Sequence, residues 1–116
     1  MDQHRTLRVS DAVREELSEL IGYELDDVRL KDVLVTHVEV SPDMRHAHVK
    51  IGVNEAGGAK AVAGLEHAEK YLRHELASRL NLRRVPELHF TLDSHPDAGT
   101  RVEILLRRAA KTRPNT

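Results

Sequence analysis

The chain has 116 residues, of which 32% are charged and 3% aromatic, with a formal net charge of −1 and no cysteine. This length suits one domain with a sizeable core and is too short for two, and the lack of cysteine excludes disulfides, thiolate metal sites and thiol nucleophiles. The charged first ten residues and the absence of a long apolar run predict neither a secretory signal nor a membrane span, so we expect a cytoplasmic protein.

The first predicted element is a helix over residues 6–25, followed by a charged connection over 26–32. Apolar residues recur in the helix at spacings of three and four, which is typical of a helix with one buried face. Either Thr6 or Ser10 could cap its start. The predicted buried face consists of Val9, Val13, Leu17, Leu20 and Leu25.

Two strands are predicted next, over residues 33–40 and 46–53, joined by a turn that contains Pro42 and Asp43. The second strand alternates apolar and polar residues, as a half-buried strand does. One register keeps a single apolar face, and a shift by one residue would mix the two faces. Its predicted pairs are Val40 with Ala47, Val38 with Val49 and Thr36 with Ile51.

A loop over residues 54–58 precedes a helical region over 59–80, which Asn81 could end. A third strand over 86–93 and a short helix over 97–110 complete the chain. The order α-β-β-α(α)-β predicts an α+β two-layer sandwich, with a three-stranded sheet and helices on one face. The other face of the sheet is then polar and solvated.

The polar sheet face is predicted to carry His46 and His89 together with a possible ligand set, His37, Glu39 and His48. The spacing of these residues matches no known metal motif, and Lys50 would repel a cation. We therefore interpret the histidines as surface residues and predict no metal. No nucleophile, phosphate-loop or dinucleotide-binding motif occurs either, so we expect no enzyme activity, no cofactor and no small-molecule substrate.

Positive charge is concentrated in the second half of the chain. Residues 1–66 hold 8 Lys and Arg against 13 Asp and Glu, a net −5, whereas residues 67–116 hold 10 against 6, a net +4. This distribution favours a basic nucleic-acid-binding surface, although Arg73 and Arg79 could equally form i,i+4 pairs with preceding glutamates. The basic residues of the second helical region and the loop after it are Lys70, Arg73, Arg79, Arg83 and Arg84.

Three blocks carry a more specific signal. Residues 8–30 hold the first helix and "DDVR", residues 35–53 hold "VEVSPD" before an alternating strand, and residues 72–93 hold R-x-x-L-x-x-R-L-x-L-R-x-V-P-E-L-x-F. In this order they resemble the bacterial ribosome-binding factor A family, over about residues 5–106.

The resemblance implies a type II KH-like fold in one RNA-binding domain, residues 1–110, with a flexible basic tail, residues 111–116. It implies a non-enzymatic monomer that binds small-subunit (16S) ribosomal RNA and the free or immature 30S subunit. Its expected role is late maturation of that subunit, including processing of the 5′ end of 16S rRNA, and support of growth in the cold. The expected RNA contacts are Arg45, Lys50, Lys70, Arg73, Arg79, Arg83 and Arg84.

Ordinary KH domains clamp RNA with a GXXG loop, which this family replaces with a kink between two helices that carries Ala-x-Gly. The matching residues here are Ala68, Glu69 and Lys70, so a lysine stands at the glycine position. Val28 likewise stands where the family usually has proline. The bend could therefore lie at Ala68 or shift to Gly64, whose backbone freedom weakens a helix.

Two other functions stay open at this point. The acidic first half favours a protein-interaction α+β module without RNA binding, which would dock through the first helix or the polar sheet face. The histidine-rich hairpin could instead hold a metal ion. Recovery of a protein partner after nuclease treatment would favour the first alternative, and metal analysis of tag-free protein tests the second.

Overall fold

The computed structural model describes residues 3–30, 32–53 and 57–93 together with Leu106. Apart from Leu106, the predicted helix 97–110 and the tail 111–116 lie outside the described residues. No described helix is both long enough and apolar enough to cross a membrane. The elements are α1 (Gln3–Glu19) with a π-helical turn (Leu20–Glu24), a 3-10 turn (Val28–Leu30), β1 (Leu34–Val40), β2 (His46–Gly52), α2 (Gly58–His67), α3 (Glu69–Leu80) and β3 (Glu87–Leu92).

A buried serine joins α1 to the sheet. The helix is already formed at Gln3, so Thr6 and Ser10 lie inside it and neither acts as the predicted cap. Ser10 Oγ instead donates to the Thr6 carbonyl oxygen at 2.7 Å and accepts the Val40 N–H at 3.0 Å. This gives a buried backbone donor of β1 its partner, which a protein interior requires.

The hairpin keeps the predicted register near its turn and then departs from it. The two confirmed pairs are Val40 with Ala47 and Val38 with Val49. The predicted pairing of Thr36 with Ile51 was wrong, because the register shifts at Thr36 and places Val35 opposite Ile51. This bulge keeps Val35 in the core, while Thr36 Oγ1 donates to the Lys50 carbonyl oxygen at 3.2 Å.

The third strand lies beside β2 and runs parallel to it, so the sheet order is β1-β2-β3. A parallel neighbour needs a crossover connection, and α2 and α3 supply it. The helices cover the apolar face, and one cluster of buried side chains fills the space between. Its fully buried members include Leu17, Leu20, Ile51, Leu65, Leu72 and Leu76. The predicted α+β class with helices on one face is confirmed.

The second helical region breaks at Ala68, four residues beyond Gly64. Gly64 lies inside α2 and does not break the helix. The helix packs closely on the 3-10 turn at this point, and a Cβ on residue 64 would come within 3.2 Å of Leu30 Cδ2. Lys70 lies in the first turn of α3. At the other end Asn81 stops the helix as predicted, in the left-handed conformation with φ 52° and ψ 44°.

We expect Ser10→Ala to lower the free energy of unfolding by about 1–3 kcal/mol, because the buried Val40 N–H loses its acceptor. Urea unfolding measures the effect. Ser18→Ala on the same helix is the matched control and should change stability by less than about 0.5 kcal/mol, since Ser18 Oγ has no hydrogen bond within the described ranges. Equal effects of the two substitutions would contradict the role given to Ser10.

We expect Asn81→Ala to be less stable than Asn81→Gly by about 1 kcal/mol, because a Cβ without a polar side chain is disfavoured in the left-handed conformation. Thermal unfolding of the two variants and the wild type checks this order. An alanine variant as stable as the glycine variant would show that α3 can end without a left-handed residue at position 81.

Candidate RNA-binding surface

The starts of β2 and β3 lie side by side at one end of the sheet, because the strands are parallel and paired from their first residues. The Glu87 N–H donates to the Arg45 carbonyl oxygen at 2.8 Å, so the hairpin turn adjoins the segment before β3. Arg45 is exposed, and so are Arg83 and Arg84 in that segment. Among the described residues, the side chains of these three arginines form no hydrogen bond or salt bridge, and Arg45 interacts electrostatically with the neighbouring Asp43 carboxylate.

Arg73 reaches the same segment from α3. Its Nη2 donates to the Val85 carbonyl oxygen at 3.1 Å, and its Nε lies 3.8 Å from the Glu69 carboxylate. Glu69 in turn accepts the Leu88 N–H at 3.0 Å. Arg73 therefore fixes α3 against the start of β3, while 38% of its side chain remains exposed.

The beginning of α1 adds Arg5 and Arg8, which the sequence prediction missed. They line a groove of about 270 Å³ between α1 and the end of α3, together with Leu80 and Leu82. Their position in the sequence could have indicated a binding role. Arginine near a helix N-terminus is disfavoured by the helix dipole, so two of them there suggest a function other than helix stability. Six arginines thus form what we term the basic end: Arg5, Arg8, Arg45, Arg73, Arg83 and Arg84.

Three predicted contacts lie outside the basic end. Lys50 extends from the polar face of β2, about 13 Å along the strand from its first residue. Lys70 is exposed at the start of α3. Arg79 is shared among three carboxylates, and its hydrogen bond to Glu24, with smaller effects of Glu16 and of the charge on Glu75, raises the pKa of its guanidinium. Those carboxylates belong to Glu24, Glu16 and Glu75.

Asp43 organises the turn that presents Arg45. Its carboxylate accepts the Ser41 hydroxyl at 2.6 Å and the Arg45 N–H at 3.0 Å. These two hydrogen bonds lower the pKa of Asp43 below its ordinary value of 3.8. Met44 completes the turn with a left-handed φ of 63°. The Asp43 carboxylate is therefore held by the Ser41 hydroxyl and the Arg45 backbone, and it also attracts the Arg45 side chain.

The basic end can bind a polyanion. Guanidinium groups donate in a planar fork that matches phosphate oxygens, and several of them on one surface give a sequence-independent affinity for nucleic-acid backbones. The break at Ala68 lies five residues before Arg73. The contribution of the segment Ala68, Glu69 and Lys70 to binding stays a prediction, as do the seven predicted RNA contacts.

A family model described as ribosome-binding factor A matches residues 5–106 of the chain. The ribosome-binding factor A of Solibacter usitatus is 59% identical over 115 residues, which cover 97% of this chain and 94% of that protein. The factor of Thioalkalivibrio sulfidiphilus is 43% identical over 110 residues, covering 93% of this chain and 85% of that protein. The resemblance inferred from the three sequence blocks is confirmed.

Solved structures agree with these matches. The crystal structure of ribosome-binding factor A from Thermus thermophilus has a TM-score of 0.72 and 28% identity, covering 78% of this chain and 99% of that one. A model of the Thermus thermophilus factor fitted into the cryo-EM map of a 30S–RbfA complex has a TM-score of 0.57 and 30% identity, covering 78% and 93%.

We expect Asp43 to add stability above its unfolded pKa and to lose this contribution in acid. Because its folded pKa is lowered below 3.8, the contribution is complete at neutral pH and disappears as the pH falls through the folded pKa. Asp43→Asn should therefore be less stable than the wild type near neutral pH and approach it below about pH 3. Urea unfolding at several pH values measures this, and an NMR-titrated pKa for Asp43 at or above 3.8 would contradict it.

Proposed function

The chain belongs to the ribosome-binding factor A family, and on that premise we propose that it binds the small ribosomal subunit through the basic end. The relative fitted into a 30S complex supports the choice of partner. The observation that carries the choice of surface is the convergence of Arg45, Arg83 and Arg84, whose side chains are exposed and form no hydrogen bond or salt bridge in the part of the chain described.

Recognition would rest on phosphates and shape more than on base stacking. Phe90 is buried in the core, and the exposed rings of Tyr23 and Tyr71 lie in the π-helical turn and the first turn of α3, so none of the three belongs to the basic end or offers a base a stacking surface there. Arg45, Arg83 and Arg84 would provide the freely moving phosphate contacts. Arg73 would serve mainly to hold the segment before β3, because its guanidinium already donates to Val85.

Two lysines extend the proposed interface beyond the basic end. Lys50 on the sheet and Lys70 beside the helix break are both exposed and suit outlying backbone contacts. Arg79 is the least available of the predicted contacts, because three carboxylates surround it. Its contribution would be to hold α3 against α1.

The proposed role is assistance in late maturation of the 30S subunit, including processing of the 5′ end of 16S rRNA. Binding through a rigid surface would hold an immature RNA conformation or block premature use of the subunit, with no bond made or broken by the protein itself. We further propose action as a cytoplasmic monomer, with one RNA-binding domain over residues 1–110, a flexible basic tail over residues 111–116, and importance for growth in the cold.

A protein-interaction module without RNA binding is the competing proposal. It draws support from acidic side chains on the exposed surface of α1, among them Asp11, Glu15 and Glu19. Glu16 belongs to the same helix but is paired with Arg79. The two proposals differ in the residues on which binding depends, because a protein contact through α1 would use its carboxylates, whereas binding to RNA phosphates would use the arginines of the basic end.

We expect the wild type to co-sediment with free 30S subunits, with affinity that falls steeply as salt rises. The double variant Arg83→Glu/Arg84→Glu should weaken binding by at least about tenfold. The slope of log affinity against log salt concentration should also become shallower, by the amount that about two phosphate contacts contribute. Both residues are exposed and lack side-chain partners in the described structure, so the fold should persist, and circular dichroism checks this.

The matched control is Arg14→Glu/Lys60→Glu, which changes net charge by the same amount. Arg14 lies further along α1, and Lys60 lies in α2, whose first residue approaches Leu92 at the opposite end of β3. The control should bind within about threefold of the wild type, since only long-range charge is altered. Equal weakening by both double variants would exclude the basic end as the specific surface, and salt-independent or absent 30S binding would overturn the proposed function.

A further inference from the structure

The polar face of the sheet brings together side chains that the sequence prediction did not group. In the parallel register of β2 and β3, His46 lies beside Glu87 and His48 lies beside His89. His46, Glu87 and His89 each offer one ligand atom, and these three atoms all lie within 4.8 Å of one another. The set is different from the predicted alternative of His37, Glu39 and His48.

The three ligand atoms form a compact triangle. His46 Nδ1 lies 2.9 Å from His89 Nε2, and Glu87 Oε2 lies 3.6 Å from the first nitrogen and 3.8 Å from the second. A tetrahedral zinc ion with ligand bonds of about 2.05 Å holds its ligand atoms about 3.3 Å apart. The observed edges lie on both sides of this value, so the triangle has about the size that three bonds to one zinc ion require.

We propose that His46 Nδ1, His89 Nε2 and a Glu87 carboxylate oxygen form a binding site for a divalent zinc-class ion, with water in the fourth position. Two imidazoles and one carboxylate are a ligand set that zinc accepts in proteins. The ligands lie on hydrogen-bonded neighbouring strands, so the backbone fixes their spacing before the ion arrives. The site goes beyond the proposed ribosome binding and does not depend on it.

Two features of the surroundings favour the ion. The ring of His48 stacks on that of His89, with centroids 5.4 Å apart and an interplanar angle of 25°, which restricts the orientation of His89. Lys50 lies opposite His37 on β1 and about 13 Å along β2 from His46. The repulsion by Lys50 that argued against a site at His37, Glu39 and His48 is therefore weak here, and the nearer cation, Arg45, is exposed to solvent, which screens its charge.

The alternative for the same geometry is a simple hydrogen bond. At 2.9 Å, one imidazole nitrogen carries a proton and donates it to the other, and Glu87 then interacts with the pair at longer range. Zinc binding would replace this hydrogen bond, and the imidazole that carried the shared proton would bind the ion through that nitrogen and carry its proton on the other ring nitrogen. The two possibilities differ in whether removal of either histidine abolishes a stoichiometric zinc site.

The test is a zinc titration of tag-free, full-length protein, monitored by calorimetry and by competition with a chromophoric chelator. We expect one zinc ion per chain in the wild type. His46→Ala and His89→Ala should each lower zinc affinity by at least about tenfold, since even changes to groups that only orient a ligand cost ten- to hundredfold. Substituted Co²⁺ should give the intense visible absorption of four-coordinate geometry in the wild type only.

His37→Ala is the matched control, because His37 is an exposed histidine of the same sheet face outside the triangle. It should leave zinc affinity within about twofold of the wild type and keep the cobalt spectrum. The inference is overturned if the wild type takes up no stoichiometric zinc, or if the three variants lose affinity equally. Circular dichroism confirms that each variant is folded, so that a lost site is not confused with lost structure.

Discussion

In the sheet, β2 and β3 are paired in parallel from their first residues, and both candidate sites depend on this pairing. It places the hairpin turn beside the segment that leads into β3, through the hydrogen bond from Glu87 N–H to the Arg45 carbonyl oxygen. It also places His46 next to Glu87 on the polar face. An antiparallel third strand would bring the opposite end of β3 to the hairpin and would separate Arg45 from Arg84.

The charged residues of α1 are arranged opposite to the order that the helix dipole favours. Arg5 and Arg8 lie near its start and Glu24 at the end of its π-helical turn, although the dipole favours acids at the start and bases at the end by about 0.3–1 kcal/mol each. Arg79 compensates at the C-terminal end by pairing with Glu16 and Glu24. At the N-terminal end no described carboxylate pairs with the two arginines, which leaves positive charge at the surface where binding is proposed.

The elements and the hairpin turn could be predicted from the sequence because they follow from local periodicity and turn chemistry. The bulge at Thr36 could not, since it follows from the need to bury Val35, which depends on helices distant in the chain. Gly64 is a similar case: glycine weakens an isolated helix, but here the helix packs so closely on the 3-10 turn that a Cβ would come within 3.2 Å of Leu30 Cδ2. The parallel direction of β3 could not be predicted either. Without it, the proximity of Glu87 to Arg45 and to His46 could not be predicted. The i,i+4 spacing did indicate that Arg79 pairs with Glu75, which it does, but its contacts with Glu16 and Glu24 depend on tertiary packing and could not be predicted.

The two proposed sites are adjacent, because Arg45 and His46 are consecutive and Glu87 follows Arg84 by three residues. A divalent ion held by His46, Glu87 and His89 would add positive charge within about a Debye length of the basic end. It would also engage Glu87, a carboxylate that otherwise reduces the positive potential there. Ion binding and RNA binding would then favour each other through the same electrostatic field, and by linkage each would strengthen the other by the same factor. The coupling needs no movement of the backbone, since the register of β2 and β3 already fixes both sets of side chains.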